Sequence, residues 1–347
     1  MQLPVKSERV KSLLWFGLST VIFAFLTRMA EFDKIMDALS QAEPVYLLFS
    51  GLAGASVFLV WSANWYNFFS ISNIKCSYSR TVQLFSAGQF LNSVTPFGQF
   101  GGQPFMAYLI SSRSDTSYEK SLATVMSADL IALIPLTTFV LTGYSYLAFT
   151  GDVSSKLTHM SAVTFSLLLF GVTMIYIGWY RNGSLEKTVL TIFEKMTEIT
   201  GIGEHLVEKL ESKLENIEKT FKTVGENPSA VLISLGIAHL SFLMKMAAFY
   251  GVLLSLGIEM SFVHLMLLIP LSALANFSIT PGGAGTFEAV MAGLIMLFIN
   301  IEFATALIAA ILYRASTYWL GIIIGYLGMT SLNYNLSSAK AVKENIN

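Results

Sequence analysis

The sequence predicts an all-α polytopic membrane protein with about six full crossings and two broken helical hairpins of opposite orientation. Three observations predict this class. Of 347 residues, 54% are apolar and only 12% charged, and mean hydropathy is +0.62; soluble domains carry about 25% charged residues. Several apolar runs reach roughly 20 residues, the length that spans hydrocarbon as a helix. Two further runs, 82–111 and 262–299, are apolar at both ends but carry Pro, Gly and side-chain amides at their centres.

Taken in order, the first run, 12–28, follows a basic start and is closed by Arg28. No small-residue cleavage site follows it, so it reads as a retained helix and not a removed signal peptide. Runs 45–70, 119–149, 159–180, 229–257 and 303–331 read as simple crossings. Between the fourth and fifth crossings lies 184–226, the only long polar stretch. There Leu206, Leu210, Leu214, Ile217, Phe221 and Val224 recur at spacings of three and four, one face of an amphipathic helix. Leu185, Val189, Ile192, Phe193 and Met196 mark a second helix before Gly201 and Gly203. Nine acids balance seven bases over 181–228, which is no basic lipid-binding face. The stretch reads as a cytoplasmic helical insert packed under one transmembrane domain that fills 1–347. A homo-oligomer contact, or a soluble partner docking there, stays open.

Lysine and arginine decide how the two broken runs sit, because short cytoplasmic loops collect them. If both runs enter and return, 16 bases fall inside and 3 outside, with Lys245 and Arg314 within spans. If both cross, the counts are 8 and 11. The first arrangement obeys the rule and places both termini in the cytoplasm, in the cell membrane. Each run then reverses at membrane depth, the first from inside and the second from outside. Pro and Gly supply the reversal, and such backbone survives only where protein or a wet cavity surrounds it. "NSVTPFGQFGGQ" (92–103) and "NFSITPGGAGTF" (276–287) share Asn, Thr-Pro and a Gly pair. Opposed broken segments of this kind point to an inverted repeat with a transport site near the midplane. A simple kink remains the other reading of either break.

The candidate site residues follow. Gly101-Gly102 and Gly282-Gly283 each precede an apolar arm, where freed N–H groups of a half-helix can face an anion. Asn92, Thr95, Gln99, Gln103, Asn276 and Thr280 would satisfy broken backbone or touch a polar headgroup. Asp129, Lys245, Glu288 and Arg314 lie deep in the spans, where a lone charge costs at least about 2.5–3.5 kcal/mol. Arg314 could grip a phosphate or pair with Glu288 or Asp129. Glu288 falls in the first turn of a half-helix after "PGGAGT", where the dipole favours an acid. His239 could bond a hydroxyl or a carbonyl. Net charge of −1 suggests no nucleic-acid partner; the lone Cys76 makes no internal disulfide, and His159, His205, His239 and His264 lack metal-ligand spacing. No cofactor and no ATP-binding loop is indicated.

"FLNSVTPFGQFGGQPFMAYLI", "ITPGGAGTFEAVMAGL" and "LYRASTYWLGIIIG" resemble three signatures of the lysylphosphatidylglycerol synthase transmembrane region, also called the flippase-like domain. This is the membrane half of multiple peptide resistance factors, and the resemblance covers nearly the whole chain. Thr95, Pro96, Gly101, Gly102, Gln103 and Pro104 match the first signature. Pro281, Gly282, Gly283, Gly285 and Glu288 match the second, and Arg314 the third. The resemblance implies translocation of a phospholipid or lipid-linked anionic substrate between leaflets. In the family a separate soluble domain performs aminoacyl transfer. This chain ends at "SSAKAVKENIN", so a stand-alone flippase-like protein is expected, and a transferase activity is not. Many members carry an acid–base pair one turn before the aspartate of the fourth span; here that turn reads Val125-Met126 with Asp129 kept, which points to a different substrate. The alternative expectation is a membrane-embedded transferase acting on a lipid-linked sugar or phosphate, with Asp129 or Glu288 as base.

Overall fold

A computed structural model of the chain describes residues 40–94, 99–150, 219–273 and 280–332, with scattered positions at 36–37, between 158 and 176, and at 275. The first expected crossing (12–28), most of 159–180 and most of the insert at 184–226 lie outside the described residues, as do Thr95, Pro96 and Asn276.

The described chain is all-α. Helix α1 (Pro44–Ile71) is followed by α2 (Tyr78–Val94) and α3 (Gln99–Ser111), then α4 (Tyr118–Leu130) and α5 (Leu133–Thr150). After the insert come α6 (Pro228–Ser255), α7 (Phe262–Ala273), a short turn at Pro281–Gly283, and α8 (Thr286–Phe298). Helix α9 (Phe303–Arg314) runs through a π-turn at Ala315–Trp319 into α10 (Leu320–Ser331). Helices α1 and α6 both begin with proline at the first helical position, where a missing N–H is harmless and the fixed φ helps. Each has 28 residues, so each is about 42 Å long and crosses a bilayer with some tilt. The break between α4 and α5 precedes Pro135, which has no N–H for the Ile131 carbonyl.

Four described helical stretches are long and apolar enough to span a membrane: Pro44–Ile71, Tyr118–Thr150, Pro228–Ser255 and Phe303–Ser331. They match four of the crossings expected from sequence. Leu48, Leu52, Leu59, Leu232, Ile323 and Phe149 stand exposed on their outer surfaces. Apolar outer faces of this extent belong in lipid. The chain is an integral, multi-pass membrane protein.

Contacts fix the direction of each helix. Ser50 Oγ donates to the Ala248 carbonyl at 2.7 Å, while Asn67 Nδ2 donates to the Ala230 carbonyl at 2.7 Å, so α1 and α6 are antiparallel. Thr124 Oγ1 donates to Ser72 Oγ and Asn64 Nδ2 to the Ala128 carbonyl, both at 2.9 Å, so α4 also runs against α1. Ser50 meets Ser316 at 2.8 Å and Gly321 meets Phe58, so α9–α10 runs parallel to α1. These pairings define two ends. Ile71, Tyr118, Pro228 and Ser331 share one; Pro44, Thr150, Ser255 and Phe303 share the other.

Both broken runs are hairpins between these ends. Where a Cβ of Gly88 would stand, Met106 lies 2.8 Å away, and the Asn92 side chain fills the same place at Gly102. Each pair has residue 97 as its midpoint. An unbroken helix would hold Gly88 and Met106 about 27 Å apart. In the second run the rings of His264 and Phe298 lie 5.1 Å apart, where one helix would separate them by about 51 Å. The first hairpin starts and ends at the Ile71 end, and the second at the Pro44 end. Charge divides along the same axis. Lys75, Arg80, Arg113, Lys120, Lys219 and Lys222 sit at the Ile71 end with the acids Asp115, Glu119 and Glu226, whereas the described residues at the other end carry Glu43, Glu259 and Glu302 and no base.

The core has two halves, one around Trp65, Phe85, Ile110 and Ile131, the other around Phe249, Leu267, Met291 and Ile308. Phe221 and Val224, from the apolar face read in the insert, are buried in the first half. Small residues let α1 approach its neighbours. A Cβ at Gly54 would overlap the Ser316 carbonyl, while one at Gly51 meets nothing within 4 Å. Gly54→Ala should therefore cost about 1–3 kcal/mol through overpacking, whereas Gly51→Ala should be neutral or stabilising by up to about 1 kcal/mol. Chemical unfolding in mixed micelles checks both.

Candidate functional site

The second break is built by three glycines. Gly282, Gly283 and Gly285 have φ of 57°, 72° and 82°, a left-handed region that side chains with a Cβ disfavour. Gly282 also abuts the Tyr318 ring, with no room for a side chain. Gly285 caps α8, and its N–H donates to Glu288 Oε2 at 2.7 Å. This is the backward reach of a third-position glutamate that satisfies an orphan donor at a helix start.

The other carboxylate oxygen, Oε1, accepts from Arg314 Nε at 3.1 Å. Arg314 Nη2 donates to the Gly282 carbonyl at 2.9 Å, and the guanidinium lies 3.7 Å over the Tyr318 ring. Glu288 and Arg314 are each only 3% exposed. The pair thus joins the broken segment to the last span. Tyr318 carries the link onward, its hydroxyl donating to the Ser93 carbonyl of α2 at 3.0 Å. Residues beside both breaks, Ser93 and Gly282, meet across this one ring.

A second cluster gathers around Asp129. Its Oδ1 accepts from the indole N–H groups of Trp61 and Trp65, each at 3.4 Å, and Oδ2 from Gln103 Nε2 at 3.2 Å. Trp61 and Trp65 are one turn apart on α1, so both indoles reach the same carboxylate. Lys245 projects from α6, its ammonium 4.7 Å from the Phe242 ring and 6.0 Å from that of Trp61. Among the described residues no carboxylate oxygen comes within 4.0 Å of Lys245.

Between the clusters lies a cavity of about 340 Å³. Asn92, Asp129, Lys245, Gly282, Arg314 and Tyr318 are part of its polar lining, with Gln89, Ser93, Ser272 and Thr317, and both core halves contribute apolar wall. Of the residues singled out in the sequence, Asn92, Asp129, Lys245, Gly282 and Arg314 therefore converge on one space. Gln103 and Glu288 stand behind it, holding Asp129 and Arg314. Gly102 packs on Asn92, and Thr280, Gly283 and Gly285 are buried beside the break. Gly101 lies in the first turn of α3, and Pro281 opens the short turn. Pro104 is exposed, away from the cavity. The four embedded charges do not form two close ion pairs: Glu288 and Arg314 pair, while Asp129 and Lys245 come no closer than 4.0 Å and couple at longer range. His239 is structural, bridging the Leu235 carbonyl at 2.8 Å and Thr138 Oγ1 at 2.9 Å. Sequence reading missed Trp61, Phe242 and Tyr318. The signals were present as an i,i+4 tryptophan pair and an aromatic one turn beyond a membrane arginine.

The family described as the lysylphosphatidylglycerol synthase TM region matches residues 12–325. The chain belongs to this family. Proteins similar to it include a UPF0104 membrane protein of Pyrococcus horikoshii, 24% identical over 91% of this chain and 96% of that protein. Another, from Methanocaldococcus jannaschii, is 24% identical over 97% and 99%. A third, from Methanothermobacter thermautotrophicus, is 22% identical over 93% of both. In this lysylphosphatidylglycerol synthase TM-region protein, the second and third signatures quoted above meet physically at the Glu288–Arg314 pair.

Removing one partner of a buried ion pair leaves the other uncompensated. Arg314→Met and Glu288→Gln should each destabilise by about 3–5 kcal/mol, and the double change by less than their sum, with coupling of about 0.5–3 kcal/mol. A double-mutant cycle in mixed micelles measures this.

Proposed function

We propose that this protein is a lipid transporter that passes the phosphate-bearing headgroup of a phospholipid, or of another lipid-linked anion, between leaflets through the central cavity. The observation that carries the reading is the meeting of two broken hairpins, rooted at opposite ends of the molecule, at one polar space. Irregular backbone at membrane depth is tolerated only against protein or a wet cavity, and paired broken segments of opposite orientation are how many transporters build a midplane site. A volume of about 340 Å³ suits a headgroup, since small-molecule sites run from about 300 to 1,000 Å³. The acyl or prenyl chains stay in the bilayer. In this reading the hairpins are re-entrant. The basic Ile71 end faces the cytoplasm, as the positive-inside rule requires, and both termini lie there. Embedded transferase chemistry fits less well. Both Glu288 oxygens are engaged and Asp129 accepts from three N–H donors, which leaves no ready general base.

In reconstituted vesicles carrying a fluorescent phospholipid, the protein should speed leaflet exchange, read as the fraction of label open to an external quencher. The Glu288→Gln/Arg314→Met double variant, folded but without its latch, should exchange at least about tenfold more slowly, a change of roughly 1.4 kcal/mol in barrier. Exchange no faster than in empty vesicles would overturn the transport reading.

Orientation has its own test. Cys76 lies just beyond α1 at the Ile71 end, and partial burial raises its thiol pKa above the ordinary value, outweighing the Thr81 hydrogen bond and Arg80. The thiolate fraction, and with it the maleimide rate, should climb roughly tenfold per pH unit below that pKa. At pH 8 an impermeant maleimide should label Cys76 only after cells are permeabilised. A Glu259→Cys variant with Cys76→Ser should be labelled in intact cells.

A further inference from the structure

Two cations line the central cavity, and they are engaged differently. Arg314 donates to Glu288 and to the Gly282 carbonyl, and its face is stacked on Tyr318. Its charge is balanced by a carboxylate 3.1 Å away. Among the described residues Lys245 has no carboxylate within 4.0 Å and couples only at longer range, to Asp129. Its neighbours are the rings of Phe242 and Trp61, whose quadrupoles compensate an ammonium only weakly. An ammonium carries three donors, and no hydrogen bond within the described residues takes them. Asp129 lines the same cavity, but three N–H groups already spread its charge.

Building on the transport reading, we propose that Lys245, not Arg314, is the anion contact for the headgroup, and that the cavity, which also holds Asp129, favours the least negatively charged phosphate, a phosphodiester. A phosphodiester oxygen at Lys245 would take the open donors and neutralise the one cavity-lining cation that, among the described residues, lacks a direct counter-ion. A pyrophosphate or phosphomonoester brings further negative charge. That charge would meet Asp129 with no second cation to receive it, since releasing Arg314 would strand Glu288 at 3% exposure. Burying an uncompensated charge is among the largest penalties available to a site. The two basic groups thus divide the work: Arg314 holds the broken segment together and Lys245 receives the substrate.

Binding to the purified protein in detergent micelles tests this, read by native mass spectrometry with dioctanoyl phosphatidylglycerol and farnesyl pyrophosphate as probes. The phosphodiester should bind at least about tenfold more tightly than the pyrophosphate, the scale of one charge-assisted hydrogen bond. Lys245→Gln should weaken phosphodiester binding at least about tenfold, and Lys245→Arg should retain most of it. The Lys245→Gln melting temperature should fall less than that of Arg314→Met, because Asp129 keeps its three N–H donors when it loses its longer-range partner. Undiminished phosphodiester binding in Lys245→Gln, or tighter binding of the pyrophosphate, would overturn the assignment. The transport reading fails separately. Lysine-dependent binding without leaflet exchange would sink transport and leave Lys245 as the anion contact, whereas exchange that survives Lys245→Gln would do the reverse.

Discussion

The carboxylate of Glu288 holds the centre of this molecule together. A helix that starts inside hydrocarbon leaves backbone N–H groups with no water to satisfy them, and an arginine at the same depth needs a counter-charge. Glu288 answers both, one oxygen on the Gly285 N–H and the other on Arg314. Arg314 then returns a donor to the Gly282 carbonyl, so the break, the half-helix and the last span become one unit. Each group would be unstable at that depth without the others. The arrangement also explains why the break is so rich in glycine: three left-handed residues fold the backbone tightly enough for arginine to reach a carbonyl inside it.

The first hairpin is secured by different means. Gln103 reaches Asp129, and the indoles of Trp61 and Trp65 reach the same carboxylate. Close packing of Gly102 on Asn92 and of Gly88 on Met106 holds the two arms side by side. Tyr318 ties this hairpin to the second through the Ser93 carbonyl. It sits in a π-turn, where the extra residue re-aims side chains that a regular helix would place elsewhere.

Much of this was legible in the chain. Helices are local, so length and hydropathy identified Pro44–Ile71, Tyr118–Thr150, Pro228–Ser255 and Phe303–Ser331 within a few residues. Pro and Gly mark a reversal through backbone sterics alone, and lysine and arginine counts favoured two returning hairpins over two crossings. The two hairpins rooted at opposite ends agree with that count. Pairing among the charges was not legible. Arg314 could have faced Glu288, Asp129 or a ligand, because the side chain is long and the three candidates lie on different helices. Trp61 and Tyr318 went unread as site residues, since an aromatic in a membrane helix looks the same whether it faces lipid or a cavity.

What the sequence by itself determined is therefore the class, four of the crossings, the positions of the two breaks and the set of buried charges. All of these follow from local backbone preference and from the expense of polarity in hydrocarbon. Only the tertiary structure decided that both breaks arrive at one cavity, that Glu288 neutralises Arg314, and that Lys245 is left facing the open space beside Asp129. The physical reason is that pairing depends on distances between helices far apart in the chain, which are set by glycine contacts such as Gly54 on Ser316 and Gly282 on Tyr318.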